Sequence, residues 1–177
     1  LEGRAPAHGE IWKNPNLAMT LRTLAKEGRD AFYKGDIALV IANFMAENGG
    51  FLSYQDLATH QGNWIEPVSA NYRGYDVWEL PPNGQGIAAL QILNIMEQFD
   101  VAKMSHDSAE YVHLFTEAKK IVFEDRAKYY ADPEFNNIPV STLISKHYAK
   151  KRATLLSLTK ASNTYPAGNL LEEGDTI

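Results

Sequence analysis

Apolar residues recur at helical spacing through most of the chain, and the longest unbroken run extends from Ser108 to Asp132. No Gly or Pro interrupts it before Pro133, a residue that ends helices at the position ahead of it. At about 1.5 Å per residue the run makes a helix of roughly 37 Å. Ser108 is a candidate N-cap, with Asp107 the alternative one residue earlier. At about 100° per residue, Tyr111, Leu114, Phe115, Ala118, Ile121, Val122 and Tyr129 share one broad stripe. Val112, Phe123, Ala127 and Tyr130 form a second apolar flank, leaving His113, Glu117, Lys120, Glu124 and Lys128 as a polar strip. A helix apolar over most of its circumference is expected to be buried on several sides. Asp125 and Arg126 fall in or beside the main stripe, where a charge must be paired or hydrogen-bonded. The expectation is a structural ion-pair network of Glu117, Asp125 and Arg126 rather than a catalytic acid or base.

The remaining pattern predicts more helices and one hairpin. Asn16 to Glu27 carries Leu17, Leu21, Leu24 and Ala25 at helical spacing and stops at Gly28. Asp30 to Glu47 follows, with a break at Gly35, and Asn48-Gly49-Gly50 closes it. Ser53 to His60 reads as a short helix with Ser53 as N-cap and Asp56 in a box-like position. Ile65 to Tyr72 and Tyr75 to Leu80 read as two antiparallel strands joined through Arg73-Gly74. Ile87 to Phe99 is a strongly apolar helix, and Pro139 to Leu156 a further one. The run from Ile138 to Lys160 carries Lys146, Lys150, Lys151, Arg152 and Lys160 without an acid, and reads as a solvated helix face. Residues 157–177 are polar, contain Pro166 and Gly168, and form no recognisable packed element.

Composition narrows the function classes. At 177 residues with 45% hydrophobic content, the chain is one domain or a large piece of one. A net charge of -5 argues against nucleic acid as a partner. With no cysteine there is no disulfide, thiolate metal site or Cys nucleophile. No apolar run approaches the roughly 20 residues of a membrane span. Leu1 to Glu10 lacks the apolar core of a signal peptide. The chain does not begin with Met, so it reads as a processed product or internal fragment, and cytoplasmic or exported location stays open. His8, His60, His106, His113 and His147 show no metal-ligand spacing, and no cofactor is implied. Asn83-Gly84-Gln85-Gly86 opens a helix, where backbone amides can meet an anion. It is too short for a phosphate-binding loop and lacks the Lys, so a structural turn is the expected role. The residues by themselves thus predict an α+β chain, mainly helical with a small hairpin, and no self-contained active site.

The order of short motifs is more specific than any one of them. Asn14-Pro15-Asn16-Leu17-Ala18 is followed by Gly28-Arg29-Asp30-Ala31-Phe32-Tyr33-Lys34-Gly35, Asn48-Gly49-Gly50 and Asp56-Leu57-Ala58. Then come Glu66-Pro67-Val68, Tyr72-Arg73-Gly74-Tyr75, Pro81-Pro82, Leu93-Asn94, Glu117-Ala118, Asp125-Arg126 and Asp132-Pro133. In this order they resemble the gamma-glutamyltranspeptidase family (gamma-glutamyltransferase, or glutathione hydrolase), over the C-terminal part of its large subunit, from about Gly9 to Ile177. The resemblance implies an N-terminal-nucleophile hydrolase with a four-layer αββα fold, made as a precursor that cuts itself before a threonine. It implies cleavage of gamma-glutamyl amides such as glutathione, with the acyl group passing to water or to an amino acid.

Thr176 stands where that threonine belongs, which makes Asp175–Thr176 the implied self-cleavage bond. The residue type suits the chemistry: a free threonine offers a hydroxyl nucleophile and its own α-amine as base. On this reading residues 1–156 are the helical part of a single-domain fragment, and 157–177 a loose linker to the cleavage site. The small subunit of the same precursor is the missing partner, a homodimer is a further expected association, and the fragment alone is expected to be inactive. Two departures point to the transpeptidase-like, cephalosporin-acylase-like branch: Ile177 follows the nucleophile position where the family usually has Thr-His, and Asn83-Gly84-Gln85-Gly86 replaces Ser-Ser-Gly-Gly. An acylase of the same family, or a non-catalytic helical interaction module, are the alternative readings.

Overall fold

A computed structural model describes residues 3–170. The described residues gather into two compact units, divided between Asn63 and Trp64.

In the first unit, helix α1 (Pro15–Glu27) starts where the sequence places a cap: the Asn14 side chain accepts the Leu17 N–H at 2.9 Å, and Pro15 fills the first turn. Gly28, at φ 77°, ends it. The helix expected over 30–47 is two: α2 (Arg29–Tyr33) and α3 (Asp36–Glu47), broken at Gly35 as the pattern suggests. A Cβ on Gly35 would stand 2.7 Å from the Ala31 carbonyl oxygen, so the tight joint admits no side chain. Helix α4 (Tyr54–Thr59) carries the full capping box, with Ser53 Oγ accepting from Asp56 N and Asp56 accepting from Ser53 N. The Tyr54 hydroxyl donates to the Lys34 carbonyl at 2.9 Å, and Tyr33 stacks on His60. Among the described residues of this unit only Ala38 and Leu57 are buried, while Leu17, Met19, Leu21, Val40, Phe44 and Phe51 are exposed.

The second unit opens with β1 (Val68–Tyr72) and β2 (Tyr75–Glu79), paired antiparallel with Tyr72 opposite Tyr75 and Val68 opposite Glu79. Arg73 and Gly74 both have positive φ, the requirement of the two-residue turn that matches strand twist. The first strand starts three residues later than the pattern suggests, after Pro67, which has no N–H to give a ladder. Gly86 begins α5 (Gly86–Met96); a Cβ there would meet the Leu80 carbonyl and Glu79 side chain at 2.7 Å. The turn ahead of α5 is therefore a close-packed joint between hairpin and helix. Lys146 fastens the same region, donating to the Asn94 side chain at 2.6 Å and also to Glu97 and the Asn71 carbonyl.

A short 3-10 turn, 101–103, leads to the long helix α6 (Ala109–Tyr129). Ser108 Oγ accepts the Tyr111 N–H at 3.2 Å, so Ser108, not Asp107, is the cap. The single helix expected over 139–156 is α7 (Val140–Leu143) and α8 (Lys146–Ala153). Ser145 caps α8 by accepting from Tyr148 N; a serine side chain that bonds nearby backbone competes with helix continuation. The core lies where α5, α6 and α8 meet: Ile92, Ile95 and Met96 pack with Leu114, Ala118, Ile121 and Val122, closed by Ala149, Ala153 and Tyr165. A smaller cluster of Ile87, Leu143 and Tyr148 joins α5 to α7 and α8. Most of the second apolar flank of α6 is not covered: Val112, Phe123 and Ala127 are exposed and Tyr130 is partly buried, and Phe115, expected in the buried stripe, is exposed as well.

Candidate functional site

The two carboxylates on the buried side of α6 carry the densest chemistry in the second unit. Asp125 is 0% and Glu117 2% exposed. Two turns and a fraction separate them, roughly 12 Å along the helix.

Asp125 is held from four directions. Its Oδ1 accepts the Gly168 N–H at 2.7 Å and lies 3.0 Å from the Arg152 guanidinium. Its Oδ2 accepts the Tyr148 hydroxyl at 2.9 Å and the Gln91 amide at 3.4 Å. Tyr130 in turn donates to the Gln91 side-chain oxygen. Arg152, 4% exposed, also donates to the Ile121 and Pro166 carbonyls, at 3.2 and 2.7 Å. Burial pushes the Asp125 carboxyl up from its ordinary value, against the Gly168 N–H, Arg152, Tyr148 and Gln91, which all favour the charged form. Burial likewise pushes the Tyr148 and Tyr130 hydroxyls up, and the Asp125 charge adds to both. Both phenols stay protonated as donors.

Glu117 is the second anchor. It accepts the Tyr165 hydroxyl at 2.5 Å and the Ser162 N–H at 3.0 Å through Oε2, and pairs with Lys120 at 2.7 Å through Oε1. Lys120 also donates to the Ser162 carbonyl. Burial alone would raise this carboxyl; Lys120, Tyr165 and the Ser162 N–H together outweigh it and hold it at about 2, against an ordinary 4.5. The Tyr165 phenol is pushed up to about 12 by burial and by Glu117.

A depressed carboxyl stabilises the fold wherever it is ionised, so its contribution is complete above the unfolded value and fades as pH falls toward the folded one. The wild-type chain is therefore expected to exceed Glu117→Gln in urea midpoint by a constant margin above pH 5. The margin should shrink between about pH 4.5 and 2. A margin that does not change with pH across that window would refute the assignment.

Four sequence expectations change here. Arg126, expected in the network, is exposed and lies over the Phe123 ring at 5.4 Å. The partner of Asp125 is Arg152 of α8, because neighbouring positions on a helix point about 100° apart and a buried acid is reached best from another element. Glu117, placed in a polar strip, is buried. The segment after α8, expected to be a loose linker, has neither helix nor strand over 157–170, yet Ser162, Tyr165 and Gly168 bind the α6 carboxylates directly. The basic run around α8 is not uniformly a solvated face, since Arg152 turns inward. Asp175 and Thr176 lie outside the described residues.

Elsewhere in the second unit, an open groove of about 640 Å³ is lined by Ile65, Pro81, Pro82, Pro133, Phe135 and Val140, beside the Asn83–Gly86 turn. Among the described residues no group of His, Asp or Glu is arranged to hold a metal ion, and no helix is long and apolar enough to cross a membrane.

The chain matches the gamma-glutamyltranspeptidase family over residues 2–176, and it belongs to that family. It is 43% identical over 151 residues to the glutathione hydrolase-like YwrD proenzyme of Bacillus subtilis, covering 85% of this chain and 29% of that protein. It is 40% identical over 161 residues to the glutathione hydrolase proenzyme of Escherichia coli, covering 90% of this chain and 28% of that one. Among solved structures it is similar to cephalosporin acylase from Bacillus halodurans, with TM-score 0.70 and 39% identity over 94% of this chain and 31% of that one. The chain thus spans less than a third of the length of the curated relatives it matches.

Proposed function

We propose that the chain is the C-terminal part of the large subunit of a gamma-glutamyl transferase or hydrolase precursor, ending around the self-cleavage bond Asp175–Thr176. The observation that carries this is the family match running to residue 176, with relatives named as proenzymes. The Thr176 Oγ attacks the Asp175 carbonyl carbon, and the peptide C–N bond breaks as an ester forms. Water then hydrolyses the ester, leaving a carboxylate on Asp175 and a free α-amine and hydroxyl on Thr176. That amine, an amide before cleavage, becomes the base that activates the hydroxyl toward a gamma-glutamyl amide. The small subunit of the same precursor is the partner, and the substrate is a glutathione-like amide. A homodimer is a further assembly on this reading.

The test is mass spectrometry of the whole precursor. The wild type is expected to split into two chains at Thr176 and hydrolyse gamma-glutamyl-p-nitroanilide; Thr176→Ala is expected to stay whole and inactive. A Thr176→Ala precursor that splits at the same bond removes the assignment.

A second substrate class has its own support. Ile177 and the Asn83-Gly84-Gln85-Gly86 turn depart from the usual transpeptidase pattern, and the structure resembles a cephalosporin acylase. Comparing kcat/KM of the matured enzyme for a gamma-glutamyl anilide and for a glutaryl amide decides between the two.

A further inference from the structure

We propose that Glu117 and Asp125 are positioning residues for self-cleavage: they grip the backbone at Ser162 and Gly168 and so set the register of the chain that leads to Asp175–Thr176. The inference rests on the Thr176 reading given above. A buried carboxylate is costly, and apolar packing would serve the core at least as well. What distinguishes this pair is their target. Each accepts a backbone N–H from the same irregular segment: Ser162 N to Glu117 at 3.0 Å and Gly168 N to Asp125 at 2.7 Å. Cations beside each carboxylate take carbonyls of that segment, Lys120 at Ser162 and Arg152 at Pro166. The Tyr129 hydroxyl takes the Gly168 carbonyl at 2.5 Å. Both backbone groups of Gly168 are therefore bound, in a stretch with no secondary structure to fix it.

Gly168 makes the grip register-specific. A Cβ at this position would stand 1.8 Å from the Tyr148 hydroxyl oxygen and 2.7 Å from the ring carbon that bears it. Tyr148 cannot retreat without releasing Asp125, to which it donates at 2.9 Å. A slip of one residue would bring Ala167 or Asn169 to this place, and neither side chain fits. Such a slip would also draw the cleavage bond along by as much as one residue, roughly 3.3–3.6 Å of extended chain. A hydroxyl must come within about 3–3.5 Å of the carbonyl it attacks, and misplacement by ~1 Å can cost about 100-fold in rate.

The experiment uses the whole precursor and follows splitting over time by mass spectrometry, with melting temperature measured on the same samples. Gly168→Ala is expected to fold and to split at least about tenfold more slowly than the wild type. The same substitution is then placed in an enzyme expressed as two separate chains, the second beginning at Thr176, where no cleavage is required. There its kcat and KM are expected to equal those of the unsubstituted two-chain enzyme. Splitting at the wild-type rate, or an equal loss of kcat in the two-chain form, overturns the proposal. Should Gly168→Ala yield no folded precursor, Glu117→Gln takes its place and the same two results decide. A wild-type precursor that never splits removes the Thr176 reading itself. A wild type that splits alongside a variant splitting equally fast removes the anchor alone.

Discussion

Arg152→Met is expected to destabilise the 1–177 chain by about 3–5 kcal/mol, whereas Arg126→Met should change it by no more than about 0.5 kcal/mol. The two arginines look interchangeable in the sequence, and Arg126 is the one adjacent to Asp125. Their surroundings are opposite. Arg152 is buried between α6 and α8, 3.0 Å from Asp125, and bonds two carbonyls besides. Methionine fills much of the volume but leaves Asp125 fully enclosed without its cationic partner. It also removes the donor to the Pro166 carbonyl, and a buried polar group left unpaired costs about 1–3 kcal/mol; the Ile121 carbonyl keeps its helical bond. Arg126 gives up only a cation–π contact with Phe123 at the surface. Because small domains are stable by only about 5–15 kcal/mol, the first change removes a large fraction of the total. Urea denaturation of both variants decides the matter, and equal midpoints would mean that Arg152 is not the partner. Replacing Asp125 and Arg152 together by apolar residues of similar volume is expected to recover much of the loss, since no charge is then left without a counterpart.

What the sequence made legible was local chemistry. The Ser53–Asp56 box, the Ser108 cap, the Gly28 stop, the Gly35 break and the Arg73-Gly74 turn each follow from residues within four positions of one another. The Asp125–Arg152 pair and the Glu117–Ser162 bond join residues far apart in the chain, and no periodicity announces them. Glu117 was hidden because a helical wheel assigns a polar residue to water, when it faces a segment that supplies its donors. Arg152 was hidden in a basic run whose other members include exposed Lys146 and Lys150. Residues 157–170 looked loose because they have no repeating pattern; side chains on α6 and α8 hold them. Asn83–Gly86 was read as a turn, and the close approach at Gly86 gives the reason. The proposal for Thr176 rests on the family resemblance alone, since nothing in its own neighbourhood distinguishes it from an ordinary threonine.

Ile121→Ala is expected to cost the 1–177 chain about 2–5 kcal/mol, and Val112→Ala no more than about 0.5 kcal/mol, although both lie on apolar faces of α6. Ile121 is 0% exposed and packs in the core formed with α5 and α8, so truncation removes a methylene and both methyl groups beyond Cβ and leaves a cavity that rigid helix neighbours cannot close. Val112 stands with Phe123 on the uncovered flank, and Phe115 of the main stripe is exposed too, so truncation at Val112 removes little contact. The pattern along α6 nevertheless asks for burial on that flank too, and an apolar patch of this kind marks a surface made to be covered. The chain accounts for less than a third of its relatives' length, so on the proposed reading the remainder of the precursor supplies the cover. Phe115→Ala is then expected to be nearly neutral in 1–177 and to lower the stability of the whole precursor by about 1–3 kcal/mol, the value of burying such a side chain. Urea midpoints of the four proteins test both halves of the argument. A costly Val112→Ala in 1–177 would show that the flank is already buried there, and a neutral Phe115→Ala in the precursor would show that nothing covers it.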